Sequence, residues 1–163
     1  MNVITIKALL TEVLEGAKRV AVLGCGSVLG GDDAAGMEVA ERLSDLRGDA
    51  RAYCGSTAPE NFTGEIKRFR PDVLLVVDAA DMGWKPGEVA LIPTEDIAGV
   101  SFSTHMLPLR IMLDYLRVET GCQVRLIGIQ GAALGFGADM TQPVSAAVDA
   151  VSNALRELLE NAG

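Results

Sequence analysis

The stretch VAVLGCGSVLGGDDAAG, Val20 to Gly36, decides how this chain folds. An apolar run from Val20 to Leu23 ends in a glycine-rich turn, Gly24 to Gly31, and Met37, Ala40 and Leu43 then recur at helical spacing. A continuous apolar run suits a strand buried on both faces, and a 3.6-residue period after a turn suits a helix packed back onto that strand. The alternation continues in both directions. Before it, Ile6, Leu9, Leu10, Val13 and Leu14 mark a helix that Gly16 stops. After it come a short strand around Ala52 and Tyr53, a helix holding Phe62, Ile66 and Phe69, and a strand from Val73 to Val77. Glu88 to Ile92, bracketed by Pro86, Gly87 and Pro93, reads as an edge strand. Leu109, Met112, Leu113 and Leu116 mark a helix, Gln123 to Ile129 a strand, and a last helix runs from near Pro143 through Val144, Val148, Val151, Leu155 and Leu158. Strands alternating with helices predict an α/β fold, with a mostly parallel twisted sheet of about five strands and helices on both faces. At 163 residues, without linkers or repeats, the chain is expected to form a single three-layer domain, residues 1–163.

Composition narrows the function. Hydrophobic residues make up 49% of the chain against 22% charged, enough for a large core and unlike a disordered segment. The net charge of −8 repels phosphate backbones and anionic lipid surfaces, so neither nucleic acid nor membrane is an expected partner. The N-terminus lacks the pattern of a signal peptide, and no apolar run approaches the roughly 20 residues that cross a bilayer. Three cysteines, Cys25, Cys54 and Cys122, form no C-x-x-C pair and argue for a reducing, cytoplasmic setting.

In an open parallel sheet, ligands gather outside the carboxyl ends of the strands. There the sequence places Asp32 and Asp33 after the first strand, and Asp78 and Asp81 after Val77. The one histidine, His105, stands directly before a helix. The dinucleotide fingerprint fails because Leu29 holds the third glycine's place, no Gly-Lys-Ser/Thr occurs, and no G-x-S-x-G nucleophile elbow is present. Two carboxylates and an imidazole at one edge suit an open divalent-metal site. Structural readings stand beside it: Asp33 as a helix N-cap, Asp78 as an acceptor for backbone donors, and His105 as a cap of the next helix. Adjacent residues at a helix start point in different directions, so only one of Asp32 and Asp33 is expected to face the cleft. Asp78, next to the strand, is expected there too, with Asp81 left to a turn or the rim.

At these residues the sequence resembles a known family. GCGSVLGGDDAAG is similar to the opening block of hydrogenase maturation proteases, G-x-G-N-x-L-x-x-D-D/E-G-x-G, at Gly24, Gly26, Leu29, Asp32, Asp33 and Gly36. VVDAADMGWKPGEV resembles the second block, FSTHMLPL the third, and LIGIQ with MTQPVSAAV the C-terminal part. GSTAPEN and THMLPL look closest to the branch that serves formate-hydrogenlyase-type and related membrane-bound hydrogenases. The resemblance implies an endopeptidase, of a kind often grouped with aspartic endopeptidases. Its substrate would be a nickel-loaded nickel-iron hydrogenase large-subunit precursor, which loses a C-terminal extension. Asp33, Asp78 and His105 would be both the catalytic and the metal-engaging residues, with nickel carried by the precursor and not resident in the protease. Ser27, Ala34 and Cys54-Gly55-Ser56 depart from the usual Asn, Gly and Asp-Gly-Gly. The rival expectation is a noncatalytic nickel-sensing or chaperone-like module that holds the precursor without cutting it.

Overall fold

Val20–Cys25 (β1) is second in a sheet ordered β2-β1-β3-β6-β4 in the computed structural model, which describes residues 3–96, 100–102, 106–132 and 138–160. The partners are Ala50–Ser56 (β2), Val73–Asp81 (β3), Val89–Pro93 (β4) and Gln123–Gln130 (β6), with the two-residue Ser101–Phe102 (β5) added to the end of β3. β1, β2, β3 and β6 are parallel, whereas β4 and β5 run antiparallel to β6 and β3. Pro93, lacking an N–H, ends the strand at the outer edge, where the missing donor leaves no gap in the ladder.

Side chains alternate across the sheet and sort the core into two layers. Val20, Val22, Val73, Leu75, Val77, Ile127 and Ile129 pack beneath Val3–Leu14 (α1), Ala35–Arg42 (α2) and Gln142–Glu160 (α5). Ala21, Leu23, Leu74, Val76, Val124 and Leu126 pack beneath Thr63–Phe69 (α3) and Met106–Thr120 (α4). Two glycines let α2 lie directly on the sheet: a Cβ on Gly36 would stand 2.1 Å from the Val77 carbonyl, and one on Gly24 would stand 2.3 Å from the Gly36 carbonyl. No described helix is long and apolar enough to cross a membrane.

The strand order reverses between β1 and β3. β1 connects through α2 to β2 on one side, and β2 returns through α3 to β3 on the other. That reversal opens a crevice at the carboxyl ends of β1 and β3, the place where doubly wound sheets bind ligands.

Two expectations change. β3 does not stop at Val77, and Asp78 and Asp81 are strand residues, not loop residues. Asp78, Ala79 and Ala80 pair with Gly128, Ile129 and Gln130, and Ala80 and Asp81 pair with Phe102 and Ser101. Asp and Ala disfavour strands, but ladders on this segment outweigh that weak preference. β5, absent from the sequence reading, supplies one of those ladders.

Candidate active site

The carboxyl ends of β1 and β3 frame the crevice. Beyond Cys25 the chain turns through Gly26, whose N–H donates to the Ser56 carbonyl at 2.9 Å, and Gly30 N–H closes a turn onto the Ser27 carbonyl at 3.1 Å. That turn leaves Val28 57% and Leu29 62% exposed, two large apolar side chains at the rim. Gly31–Ala34 then forms a short 3-10 turn that feeds α2.

Asp32 and Asp33, adjacent in the chain, have opposite surroundings. Asp32 is buried, and its carboxylate accepts Ala132 N–H at 2.9 Å, Thr141 N–H at 2.7 Å and the Thr141 hydroxyl at 3.1 and 3.0 Å. It ties the α2 entrance to the segments before α5. Asp33 is exposed and caps nothing: the N-cap of α2 is Ala34, with no side-chain cap, because the 3-10 turn intervenes. The N-cap reading of Asp33 therefore fails. Partial burial, and then the charge of Asp32 beside it, push the Asp33 carboxyl above its ordinary value.

Asp78 is fully buried and shares a sheet face with Leu74 and Val76. Gly26 stands between the two candidates: a Cβ there would lie 2.0 Å from the Asp33 carbonyl oxygen and 3.5 Å from Asp78 Oδ1. Gly26 adopts φ +125°, a backbone that favours glycine, and the absent side chain lets the Asp33 carbonyl approach closely. Beneath lies the buried Cys25 thiol, pushed well up by burial and then by the charges of Asp78 and Glu60, so it stays neutral.

Asp81, exposed at the strand end, accepts Gly83 N–H at 3.1 Å and so serves the turn. Gln130, which the sequence reading did not single out, is buried at the end of β6. Its Oε1 accepts Met82 N–H at 2.7 Å and Trp84 N–H at 3.3 Å, while Nε2 donates to the Gly131 carbonyl at 2.9 Å. It fixes the loop that carries the exposed Trp84. Its only sequence signal is a polar residue closing an apolar strand.

His105 lies outside the described residues, as do Ser103 and Thr104. Its described flanks are Phe102, paired with Ala80, and Met106, which opens α4. Among the described residues, no three Asp, Glu, Cys or His side chains group as a metal site.

The family model described as HycI, hydrogenase maturation protease, matches residues 37–158. The chain belongs to the hydrogenase maturation protease family. It is 40% identical over 145 residues to the hydrogenase 3 maturation protease of Escherichia coli, covering 87% of this chain and 92% of the relative. The crystal structure of the nickel-iron hydrogenase maturation protease HycI from Thermococcus kodakarensis superposes with a TM-score of 0.85 at 33% identity, covering 94% of this chain and 99% of that one. A crystal structure of the hydrogenase 3 maturation protease gives a TM-score of 0.74 at 38% identity, covering 89% and 94%. This maturation protease is accordingly an endopeptidase built on a mixed, mostly parallel sheet. Cys54, Gly55 and Ser56 close β2 at the same edge of the sheet, where Ser56 takes φ +54°, a left-handed backbone that glycine adopts more readily.

Proposed function

We propose that this protease removes the C-terminal extension of a nickel-iron hydrogenase large-subunit precursor in the cytoplasm, and that Asp33, Asp78 and His105 engage nickel already carried by the precursor. The observation that carries this reading is that the Asp33 backbone and the Asp78 carboxylate meet at Gly26, at the strand reversal. The relationship to hydrogenase 3 maturation protease supports the formate-hydrogenlyase-type branch.

The residues suit such a substrate. Carboxylates and an imidazole are hard to borderline donors, fit for a divalent first-row ion, and three of them leave positions that substrate groups can fill. The glycine at position 26 lets the Asp33 backbone pack against β1 within reach of the Asp78 carboxylate. The described residues on either side of His105 in the chain are Phe102, whose partner Ala80 is two residues from Asp78, and Met106.

Cutting the tail is hydrolysis. Water adds to the scissile carbonyl, the C–N bond breaks, and the leaving amine takes up a proton. A carboxylate at the edge accepts the proton of the attacking water, and Asp33 is exposed with its affinity for a proton increased. Asp78, held by the β3 ladder, offers a rigid oxygen that orients what the precursor brings.

The test incubates the protease with nickel-loaded and nickel-free precursor and weighs the products. The expected result is a shortened chain from the nickel-loaded precursor alone. Equal cutting of both would overturn the recognition role of nickel, and tight binding without any shortened product would favour the chaperone-like alternative.

A further inference from the structure

We propose that the opposite, amino-terminal edge of the sheet carries a second binding site, a pocket for a phosphate-sized oxyanion formed by Arg19, Arg51 and Arg68. A cavity of about 420 Å³ opens there, lined by the three arginines with Tyr53, Phe69 and Glu65 among its walls. Arg19 directly precedes β1, Arg51 is the second residue of β2, and Arg68 is the penultimate residue of α3. Three elements thus bring three of the 14 basic residues into one concavity of a chain whose net charge is −8. Convergence of like charge is unfavourable unless an anion is to be met there.

Two of the three guanidinium groups, those of Arg19 and Arg51, are oriented in advance. Arg51 lies 4.8 Å and Arg19 5.7 Å from the centre of the Phe69 ring, itself buried, and Arg19 Nη1 donates to the Phe69 carbonyl at 2.9 Å. Tyr53, also buried, stands beside Arg51. Stacked guanidinium groups present their N–H forks in fixed planes, matched to the paired oxygens of phosphate or sulfate, and little side-chain freedom remains to be lost on binding.

Neighbouring carboxylates neutralise the pocket only in part, through Arg19. Asp72 accepts the backbone N–H groups of Lys18 and Arg19 at 2.8 Å each. Asp49 approaches Arg19 at 3.7 Å, and Asp45 pairs with Arg156. Among the described residues, no carboxylate lies within ion-pair distance of Arg51 or Arg68. Glu65, on the wall, sets a preference for a compact anion that the arginines can reach over an extended acidic one. The pocket opens at the edge away from Asp33 and Asp78, so its occupancy is separable from cutting.

The experiment is titration calorimetry of the intact protein with inorganic phosphate, against sodium chloride at matched ionic strength. Saturable binding of one phosphate is expected, weakened at least tenfold in Arg51→Gln and in Arg68→Gln. Should Arg51→Gln lower the melting temperature through lost stacking on Phe69, Arg68→Gln decides alone. Phenyl phosphate in place of phosphate separates the sources: tighter binding points to a phosphoryl group on a larger ligand, and weaker binding to the free ion. A response that never saturates, that chloride reproduces, or that survives in both variants would overturn the proposal.

Discussion

An aspartate at each edge of the sheet shows how differently the two are built. At the carboxyl edge, Asp33 is pushed up by partial burial and by the charge of Asp32. At the amino edge, Asp72 accepts two backbone N–H groups, from Arg19 and Lys18, and those bonds pull its carboxyl below the ordinary value. One edge collects carboxylates whose charges oppose one another, and the other spends its carboxylate on backbone donors and leaves arginines to line a pocket. Groups held against their preferred ionisation mark sites of chemistry, whereas a satisfied carboxylate marks structure. The contrast predicts that substituting a carboxylate pushed up at the carboxyl edge costs activity first, and that substituting one satisfied by backbone donors costs stability first.

The largest effect is expected at Asp78. Asp78→Asn keeps size and some hydrogen bonding but removes the charge, and cutting should fall by on the order of 10²–10⁴-fold, the contribution typical of a positioned acid or base. His105→Ala should match it. A thermal melt beside the cleavage assay separates chemistry from folding: a variant that melts early yet cuts normally would reassign Asp78 to structure.

Asp32 and Asp33 sharpen the comparison within one edge. Asp33→Asn should lose activity on a similar scale while melting at or slightly above the wild-type temperature, since a charge beside Asp32 is gone. Asp32→Asn should do the reverse. It leaves one amide oxygen for donors that now share two carboxylate oxygens, so stability should fall by about 1–3 kcal/mol with a smaller loss of cutting. Urea melts and turnover of the two variants, side by side, test the division; equal effects on both quantities would erase it.

A pH series tests the amino edge. Because the folded state lowers the proton affinity of Asp72, its contribution is fully present above the ordinary aspartate pKa of about 3.9. It is lost as pH falls through the lower folded value. Asp72→Asn should therefore be less stable than wild type near neutrality, with the gap closing below about pH 4. A gap constant with pH would mean that the carboxylate charge contributes nothing there.

Much of this was legible in the chain. The order of helices and strands followed from apolar runs, periodicity and Gly or Pro stops, and the edge strand ending in Pro93 was read from its flanking prolines and glycine. What escaped depends on distant partners. Nothing near Asp78 says that Gly128 and Phe102 will carry β3 on to Asp81. Asp32 is fixed by Ala132 and Thr141, about a hundred positions away, so the pair Asp32-Asp33 gave no sign that its first member is a buried anchor. Gln130 is fixed by a loop 46 to 48 positions earlier. The capping role considered for Asp33 failed on a local detail, the 3-10 turn before α2. His105 falls outside the described residues, and its role rests on the proposal above.

Backbone strain offers the smallest test and a last comparison of the edges. Two described non-glycine residues adopt left-handed backbone, Ser56 at the carboxyl edge with φ +54° and Arg70 at the amino edge with φ +53°. Arg70 closes α3, where a left-handed residue is an ordinary way to end a helix. Ser56 has no such excuse in local structure: it ends β2, beside a shift in the β1–β2 register, and its carbonyl receives Gly26 N–H. Left-handed backbone costs a side-chain-bearing residue about 1–2 kcal/mol, and glycine returns roughly 0.5–1 kcal/mol of that through the freer unfolded chain. Ser56→Gly should therefore gain about 0.5–1 kcal/mol by denaturant melt, by the same two opposing terms. Ser56→Ala removes the hydroxyl but keeps the strained backbone, and should gain nothing. If the strain serves the site, the glycine variant melts later but cuts more slowly, because the loop beside Gly26 loses its fixed shape. If it only follows from the shift in the β1–β2 register, stability rises while turnover stays unchanged. We expect the second outcome, since the bond that Ser56 makes to Gly26 comes from its carbonyl, which Ser56→Gly keeps. A glycine variant no more stable than the alanine one would show that Ser56 carries no strain to relieve.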